Sequence, residues 1–279
     1  MIKVISPGMY SSLQDSGRIG YRSLGVPVSG AMDSYSAHLA QQLVGNANDA
    51  LLLEFAQVGP VLEFAQNVVI AVTGAPFVLT TATMILPMNR AISIAKGTQI
   101  SFGRAIDGMY GYLAVQGGFD SEIVLGSGSY QRGITEQITL KSGQRLQCKK
   151  HTQSKRHVHV NPDRQHVSQI GVPVLKGPEF SLLSDELKAQ LIGQNFTIST
   201  LSNRMGARLS NKLAAGLDEI ITAVVQPGTV QLTPSGSLIV LMRDAQTTGG
   251  YARILQLTEQ GINTIAQKPP GAKIKFQLL

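Results

Sequence analysis

Short apolar or alternating runs, separated by turn residues, fill much of the chain between residues 50 and 115. These runs lie at residues 51–55, 61–64, 68–72, 77–81, 100–102 and 110–115. Glycine, proline and asparagine stand between them, as at Gly59-Pro60, Asn67 and Gly97, which is typical of the turns that join strands. Closely spaced short strands with few helices predict an all-β sandwich or barrel.

Two segments have helical spacing instead. Residues 34–43 carry apolar side chains at helical intervals, with Asp33 or Ser34 as the predicted N-cap. Residues 184–192 show a second helical pattern that begins at a serine. The sequence therefore predicts a few short helices among the strands.

The stretch at residues 14–33 precedes the first helix and contains four glycines, one proline, two aspartates and two arginines. So many helix and strand breakers predict an ordered loop that turns several times. Loops of this length are uncommon unless they bind or pack something. We interpret the stretch as functional, although a tightly packed connection would also explain its glycines.

Several segments of the second half repeat the pattern of the first in the same order. The repeats pair 17–22 with 203–208, 59–63 with 228–232, 68–72 with 238–242, and 97–102 with 271–276. A shared order at similar offsets predicts two β-rich lobes derived from one unit. We expect a first lobe at residues 1–148, a linker at 149–167 and a second lobe at 168–279.

The formal net charge of +7 is concentrated in the predicted linker. Residues 149–166 hold five Lys or Arg and one acid, a net of +4, and four of the five histidines. A basic patch can bind nucleic acid, but no aromatic side chains interleave with this one, so a solvated linker is expected. His157 and His159 alternate as two metal ligands could, yet a third ligand is missing nearby, so no metal site is expected.

The single cysteine, Cys148, cannot form an internal disulfide, which fits a reducing compartment. No run is long enough for a membrane span, and the first residues lack a secretory signal. We therefore expect a cytoplasmic protein that does not act at a membrane.

Arginine-containing loops are the first candidates for chemistry. Arg18 and Arg22 lie in one loop and Arg204 and Arg208 in its repeat, and two lobes could bring them to one cleft, where ligands often bind. Arginine suits carboxylate or phosphate. The alternative is that each arginine caps a carbonyl or pairs with an acid inside its own lobe.

The stretch 243–251 follows an apolar strand and supplies a carboxylate, an amide and two hydroxyls before Gly249-Gly250. Such groups can orient a small polar substrate, although a polar turn that satisfies its own backbone would look similar. No GxSxG, P-loop, HExxH or CxxC motif is present. A hydrolase that uses its own nucleophile is therefore poorly supported, and positioning, backbone electrostatics or an aspartate base remain.

These motifs resemble those of one known family. It comprises the C subunit of bacterial ATP-dependent 5-oxoprolinase, the carboxyltransferase region of urea carboxylase (also called allophanate hydrolase subunit 2) and the antagonist of a sporulation-kinase inhibitor. The matching stretches are 14–21, 25–33, 43–46, 112–118, 125–127, 203–206 and 244–251.

The resemblance implies a mainly β fold, with two cyclophilin-like β-barrel lobes from an internal duplication and a few short helices. It implies a complex with the B subunit of 5-oxoprolinase, a kinase-inhibitor-like protein, and with the A subunit. That complex would open the lactam of 5-oxo-L-proline to L-glutamate, with ATP as co-substrate. No metal or organic cofactor is implied for this chain.

The resemblance and the side-chain chemistry together suggest residue roles. The candidate catalytic residues are Asp33, Arg204 and Asp244, where an aspartate orients water or a proton and the arginine binds carboxylate or phosphate. The candidate substrate-binding residues are Arg18, Ser29, Gln246, Thr247, Thr248 and Tyr251.

Two stretches, 134–144 and 222–228, depart from the family pattern. Two alternatives to the 5-oxoprolinase hypothesis follow. The chain could be a non-catalytic partner that binds and sequesters a kinase-inhibitor-like protein, which the departures favour slightly. It could also be a carboxyltransferase component acting on a urea-like amide, which would need a biotin carrier and a carboxylase from other chains.

Overall fold

The computed structural model describes residues 1–149 and 165–279, and these residues form two compact units. The first unit takes Met1–Arg18 and the chain from Ser29 to the end of the first described range. The second unit takes Ile19–Val28 together with Gln165–Leu279. Most of the predicted basic linker, including His157 and His159, lies outside the described residues.

The first unit is built from twelve described strands and one helix. They are β1 (Ile2–Ser6), β2 (Tyr10–Gln14), α1 (Ser34–Val44), β3 (Leu52–Ala56), β4 (Val61–Phe64), β5 (Val68–Gly74), β6 (Leu79–Thr80), β7 (Ile85–Leu86), β8 (Ile92–Ile94), β9 (Gln99–Ser101), β10 (Tyr110–Val115), β11 (Phe119–Asp120) and β12 (Arg145–Cys148).

Two sheets of the first unit face each other across one apolar core. The seven-stranded sheet has the order β11-β12-β1-β4-β9-β6-β7, and the five-stranded sheet has the order β2-β3-β10-β5-β8. Alternate residues of both sheets, such as Val4, Phe64, Phe55 and Leu113, point into this core. Helix α1 packs on the outer face of the five-stranded sheet, so β10 is buried along its whole length.

The second unit contains nine described strands and three helices. They are α2 (Gln165–Ser168), β13 (Gly171–Lys176), α3 (Asp185–Gly193), β14 (Phe196–Thr197), β15 (Gly206–Arg208), β16 (Ala223–Val224), β17 (Thr229–Leu232), β18 (Leu238–Leu241), β19 (Thr248–Gly249), β20 (Ala252–Leu257), α4 (Glu259–Ala266) and β21 (Lys273–Leu278). A 3-10 turn at Arg22–Leu24 also belongs to this unit.

A seven-stranded sheet with the order β14-β21-β13-β20-β17-β18-β15 forms most of the second unit. Its pairs are antiparallel except for β13 with β21. Strands β16 and β19 form a separate two-stranded ladder. Helix α4 turns Ile262, Ile265 and Ala266 towards β13 and β20, because these side chains recur at helical spacing.

The prediction of a mainly β fold with a few short helices is confirmed. The helices predicted at 34–43 and 184–192 are α1 and α3, each shifted by one residue at most at either end. Three of the internal repeats fall on strands in both units, but the neighbours differ, since β4 pairs with β9 whereas β17 pairs with β18 and β20. The internal duplication stays a prediction.

Candidate functional site

A row of four polar side chains crosses the five-stranded sheet of the first unit on the face that α1 covers. Tyr112 lies opposite Glu54 on one neighbouring strand and opposite Thr73 on the other, and Ser12 lies opposite Glu54. Residues opposite each other across a sheet share one face. All four are 0% exposed, so their polar atoms require protein partners.

The row holds the backbone at the start of α1. The amide of Met32 donates to Glu54 Oε2 at 2.7 Å, and the amide of Asp33 donates to the Tyr112 hydroxyl at 2.7 Å. The Thr73 hydroxyl donates to the carbonyl of Ser36 at 2.6 Å. The path of residues 32–36 is therefore set by side chains from three strands.

The Tyr112 hydroxyl also hydrogen-bonds the Glu54 carboxylate. Burial, and then the nearby charges of Glu54 and Asp33, raise the pKa of Tyr112 well above its ordinary value. Tyr112 consequently stays a neutral phenol that can donate to one group and accept from another.

Asp33, a predicted catalytic residue, is the N-cap of α1. Its Oδ1 accepts the Ser36 amide at 3.1 Å and its Oδ2 accepts the Ser36 hydroxyl at 2.6 Å. A carboxylate here satisfies an orphan amide and is stabilised by the helix dipole. Of the two residues predicted as N-cap, Asp33 or Ser34, the structure has Asp33, and its side chain is 0% exposed.

The loop at residues 14–18 is hydrogen-bonded to the loop at residues 127–131. Asp15 accepts the hydroxyls of Ser127 at 2.6 Å and Ser129 at 2.7 Å, and the amide of Gly128 at 2.7 Å. Arg18, predicted to bind substrate, is 0% exposed and donates from Nη2 to the Ser129 carbonyl at 2.5 Å. Arg18 thus supports this loop from the interior, as the carbonyl-capping alternative expected.

Ser29, also predicted to bind substrate, lies in a left-handed backbone conformation with φ of 59°. It is 1% exposed, and its hydroxyl donates to Gln131 Oε1. The next residue, Gly30, has φ of 85°, and a Cβ there would lie 3.0 Å from the Asp15 carbonyl oxygen. A side chain would not fit at Gly30, so the Ser29–Asp33 loop, the 14–18 loop and the 127–131 loop form one packed cluster.

Two predicted catalytic residues pair with each other in the second unit. Arg204 donates from Nε to Asp244 Oδ2 at 2.8 Å and from Nη2 to Asp244 Oδ1 at 2.9 Å. The side chains are 8% and 14% exposed. This fork-to-fork geometry is the strong form of an ion pair, and each residue therefore orients the other.

The stretch after Asp244 presents the other predicted substrate-binding residues. Gln246 and Thr248 are exposed, whereas Thr247 and Tyr251 are half-buried. The Thr247 carbonyl accepts the Val225 amide at 3.0 Å, and Thr248 pairs with Val224 in the β16–β19 ladder.

Both stretches that depart from the family pattern lie beside predicted site residues. Residues 222–228 include β16, which pairs with the Thr248–Gly249 strand. Residues 134–144 include Thr135, whose hydroxyl accepts the amide of Gln131, the partner of Ser29. The two stretches therefore adjoin predicted site residues, one in each unit.

Two arginines hold the carbonyls of β16 and the residue after it. Arg22 donates from Nη2 to the Val225 carbonyl, and Arg253 donates from Nη1 to the Val224 carbonyl at 3.0 Å. Arg253 also pairs with Glu179 at 2.7 Å. The hydrogen bonds from Arg253 lower the pKa of Glu179. The same side-chain hydrogen bonds to Glu179 raise the pKa of Arg253.

Arg22 and Arg18 belong to different units although they are four positions apart. Arg22 lies in the second unit with Arg204 and Arg208. Its side chain donates to the Val225 carbonyl of that unit.

Sequence reasoning missed Glu54 and Tyr112. Glu54 is an acid inside the apolar run at 51–55, and Tyr112 begins a matching motif at 112–118. An acid within an otherwise apolar run is a sequence signal that could have drawn attention to Glu54. Its pairing with Tyr112 depends on strand register, which local sequence does not specify.

Among the described ranges 1–149 and 165–279, no group of three or more His, Cys, Asp or Glu side chains is arranged to hold a metal ion. Within those ranges there is also no helix of the length and apolar character that crossing a membrane demands.

The family model for the carboxyltransferase domain, subdomain A and B, matches residues 24–278. The chain belongs to this family. Its match thus includes the Ser29–Asp33 loop, the β16–β19 ladder and the Arg204–Asp244 pair.

Individual carboxyltransferase relatives agree with this assignment. The 5-oxoprolinase C subunit of Escherichia coli is 34% identical over 99% of this chain and 90% of its own length. The corresponding C subunit of Haemophilus influenzae is 31% identical over 99% of this chain and 91% of its own length. Urea amidolyase of Saccharomyces cerevisiae is 28% identical over 99% of this chain but only 16% of its own length.

Two solved structures share the fold of this chain. The crystal structure of TTHA0988 superposes with a TM-score of 0.90 at 30% identity, covering 99% of this chain and 55% of that one. The Kluyveromyces lactis urea amidolyase superposes with a TM-score of 0.89 at 28% identity, covering 18% of its length. The chain thus spans about half the length of TTHA0988.

Proposed function

We propose that this carboxyltransferase-family chain is a subunit of an ATP-dependent 5-oxoprolinase complex. The observation that carries the proposal is the match to the C subunit of 5-oxoprolinase along 90% of that protein's length. By contrast, the yeast urea amidolyase match covers 16% of a much longer enzyme. The C subunit of 5-oxoprolinase is therefore the better parallel for this chain.

In the proposed reaction ATP phosphorylates the lactam oxygen of 5-oxo-L-proline, and water then opens the activated ring to give L-glutamate, ADP and phosphate. This chain would contribute positioning and electrostatics, because its sequence carries no GxSxG or other nucleophile motif. Proposed partners are the B subunit, a kinase-inhibitor-like protein, and the A subunit, in the cytoplasm.

The largely buried Arg204–Asp244 pair supports a role in this chemistry. Asp244 lies two positions before the exposed Gln246 and four before the exposed Thr248, and Arg204 is bonded to it. A small amide bound by this stretch would therefore be near a carboxylate and a guanidinium. Asp244 would orient water or a proton, and Arg204 would bind a carboxylate or the transferred phosphate.

The test is 5-oxoproline-stimulated ATP hydrolysis by this chain co-purified with candidate A and B subunits. Stimulation should disappear when this chain is omitted. Arg204→Ala and Asp244→Asn should each lower ring opening by roughly 10²-fold, the range for loss of a general acid or base.

Arg243→Ala is the matched control. Arg243 is the neighbour of Asp244 but pairs with Glu259 instead, so its loss should leave turnover close to that of the unaltered chain. Unchanged turnover in the Arg204→Ala and Asp244→Asn complexes would remove the pair from the mechanism. A stable complex with no stimulation would instead favour a sequestering partner.

A carboxyltransferase acting on a urea-like amide is the second candidate. The match to the yeast urea amidolyase favours it, since that match covers 99% of this chain. Transfer of carboxyl from carboxybiotin to urea, in an assay supplemented with a biotin carrier and a biotin carboxylase, would distinguish it from the 5-oxoprolinase proposal.

A further inference from the structure

Glu54 and Tyr112 form the centre of the buried polar row, and neither was singled out by the sequence. Both are 0% exposed, so neither can touch a substrate. Both nonetheless accept amides from the loop that carries Ser29 and Asp33, namely those of Met32 and Asp33.

We infer that Glu54 and Tyr112 are positioning residues of the candidate site in the first unit: through two backbone amides they hold the Ser29–Asp33 loop in the conformation that the reaction uses. The part of this inference that concerns turnover rests on the proposed function. The part that concerns the conformation of the loop rests on the hydrogen bonds alone.

The geometry favours positioning over simple core filling. An apolar pair at these two cross-strand positions would pack under α1 equally well, whereas a buried carboxylate and phenol are costly unless bonded. Here each group bonds the other and each accepts one loop amide at 2.7 Å. The polar atoms of the pair therefore serve the loop.

The loop needs such support because its own conformation is strained. Ser29 has φ of 59° without being glycine, and such residues persist only where their surroundings over-determine them. Gln131 holds Ser29 from one side, while Glu54 and Tyr112 hold the chain three and four residues further on. Loss of the second support lets Ser29 and Asp33 leave their positions without unfolding the sheet.

The first arm measures amide hydrogen exchange over residues 29–36 in the full chain. Tyr112→Phe keeps the ring but removes the acceptor of the Asp33 amide, so exchange in this segment should rise about tenfold, as for loss of one net hydrogen bond. Val44→Ala is the control: it trims a buried residue at the other end of α1, about 16 Å along the helix, and should leave exchange over 29–36 unchanged.

The second arm measures turnover of the reconstituted complex. Tyr112→Phe should lower kcat about tenfold with a smaller change in KM, and Val44→Ala should leave both values near those of the unaltered complex. Glu54→Gln retains an acceptor for the Met32 amide, so its kcat should lie between those of Tyr112→Phe and Val44→Ala. This variant keeps the test valid if Tyr112→Phe folds poorly.

The outcomes separate the two proposals. An unaltered complex without 5-oxoproline-dependent turnover contradicts the proposed function, while the exchange arm still decides whether Glu54 and Tyr112 hold the loop. Unchanged exchange in Tyr112→Phe and Glu54→Gln overturns the inference. Faster exchange with unchanged kcat in an active complex also overturns it, because the residues would then support the fold alone.

Discussion

Several arginines and an aspartate singled out by the sequence direct their hydrogen bonds to the protein itself. Arg18 holds a carbonyl of residue 129, Arg22 holds one of residue 225, and Arg204 pairs with Asp244. Buried polar groups are costly unless they are bonded in this way. At the residue scale these four side chains are therefore oriented in advance by fixed partners within the protein.

The Glu179–Arg253 ion pair predicts a pH dependence of stability. Because Arg253 lowers the pKa of Glu179 in the folded chain, the unfolded chain takes up the proton at a higher pH. The stabilisation is thus present above the ordinary glutamate pKa of about 4.3 and is lost as the pH falls through the lower folded value.

Urea unfolding of the unaltered chain and of Glu179→Gln between pH 7 and pH 3 tests this dependence. The difference in unfolding free energy should be largest at neutral pH and shrink in acid. A difference that stayed constant with pH would show that Glu179 contributes by packing and not by its charge. Lys188→Gln, which removes the exposed pair with Asp185, is a control that should show little effect.

At the element scale, the start of α1 combines a structural role and a proposed catalytic one in Asp33. Asparagine is as good an N-cap as aspartate, whereas alanine is not. Asp33→Ala should therefore lower the free energy of unfolding by about 1–2 kcal/mol, and Asp33→Asn by much less.

Turnover of the same two variants distinguishes the roles. If the carboxylate orients water or a proton, Asp33→Asn should lose roughly 10²-fold in kcat while it remains folded. Near-normal kcat in Asp33→Asn, with impaired stability only in Asp33→Ala, would assign Asp33 to capping alone. Thermal unfolding and steady-state kinetics on one preparation supply both values.

Local sequence patterns predicted those elements whose signals are local. Helix α1 has a cap and a glycine stop, and strands β4 and β10 coincide with predicted runs. Helix α4 was missed although Thr258 is its N-cap, because it is only eight residues long and includes Gly261, a residue of low helix propensity. The Glu54–Tyr112 pair could not be predicted, since it depends on the register of two strands that are far apart in sequence.

At the scale of the whole molecule, the second unit is not continuous in sequence, because it includes Ile19–Val28. A single division of the chain at residues 148–167 assigns residues 19–28 to the first unit. No sequence pattern within residues 19–28 indicates that this segment packs in the second unit. The positive charge of the predicted linker does not indicate where residues 19–28 pack either.

Arg22→Ala should loosen β16 in the second unit. The variant loses the donor to the Val225 carbonyl, so hydrogen exchange over residues 222–226 should become severalfold faster, while exchange in β1 and β4 of the first unit stays the same. Arg208→Ala, an exposed arginine of the same unit, is the matched control. Equal exchange in the Arg22→Ala and Arg208→Ala chains would contradict a holding role for Arg22.

The early position of Ile19–Val28 also affects the order of events on the ribosome. Arg22 and Val225 are 203 positions apart, which corresponds to roughly 10–40 s of synthesis at about 5–20 residues per second. During that interval the first unit can close, but the segment that completes the second unit has no partner yet. The nascent chain must keep these ten residues accessible until its C-terminal half emerges.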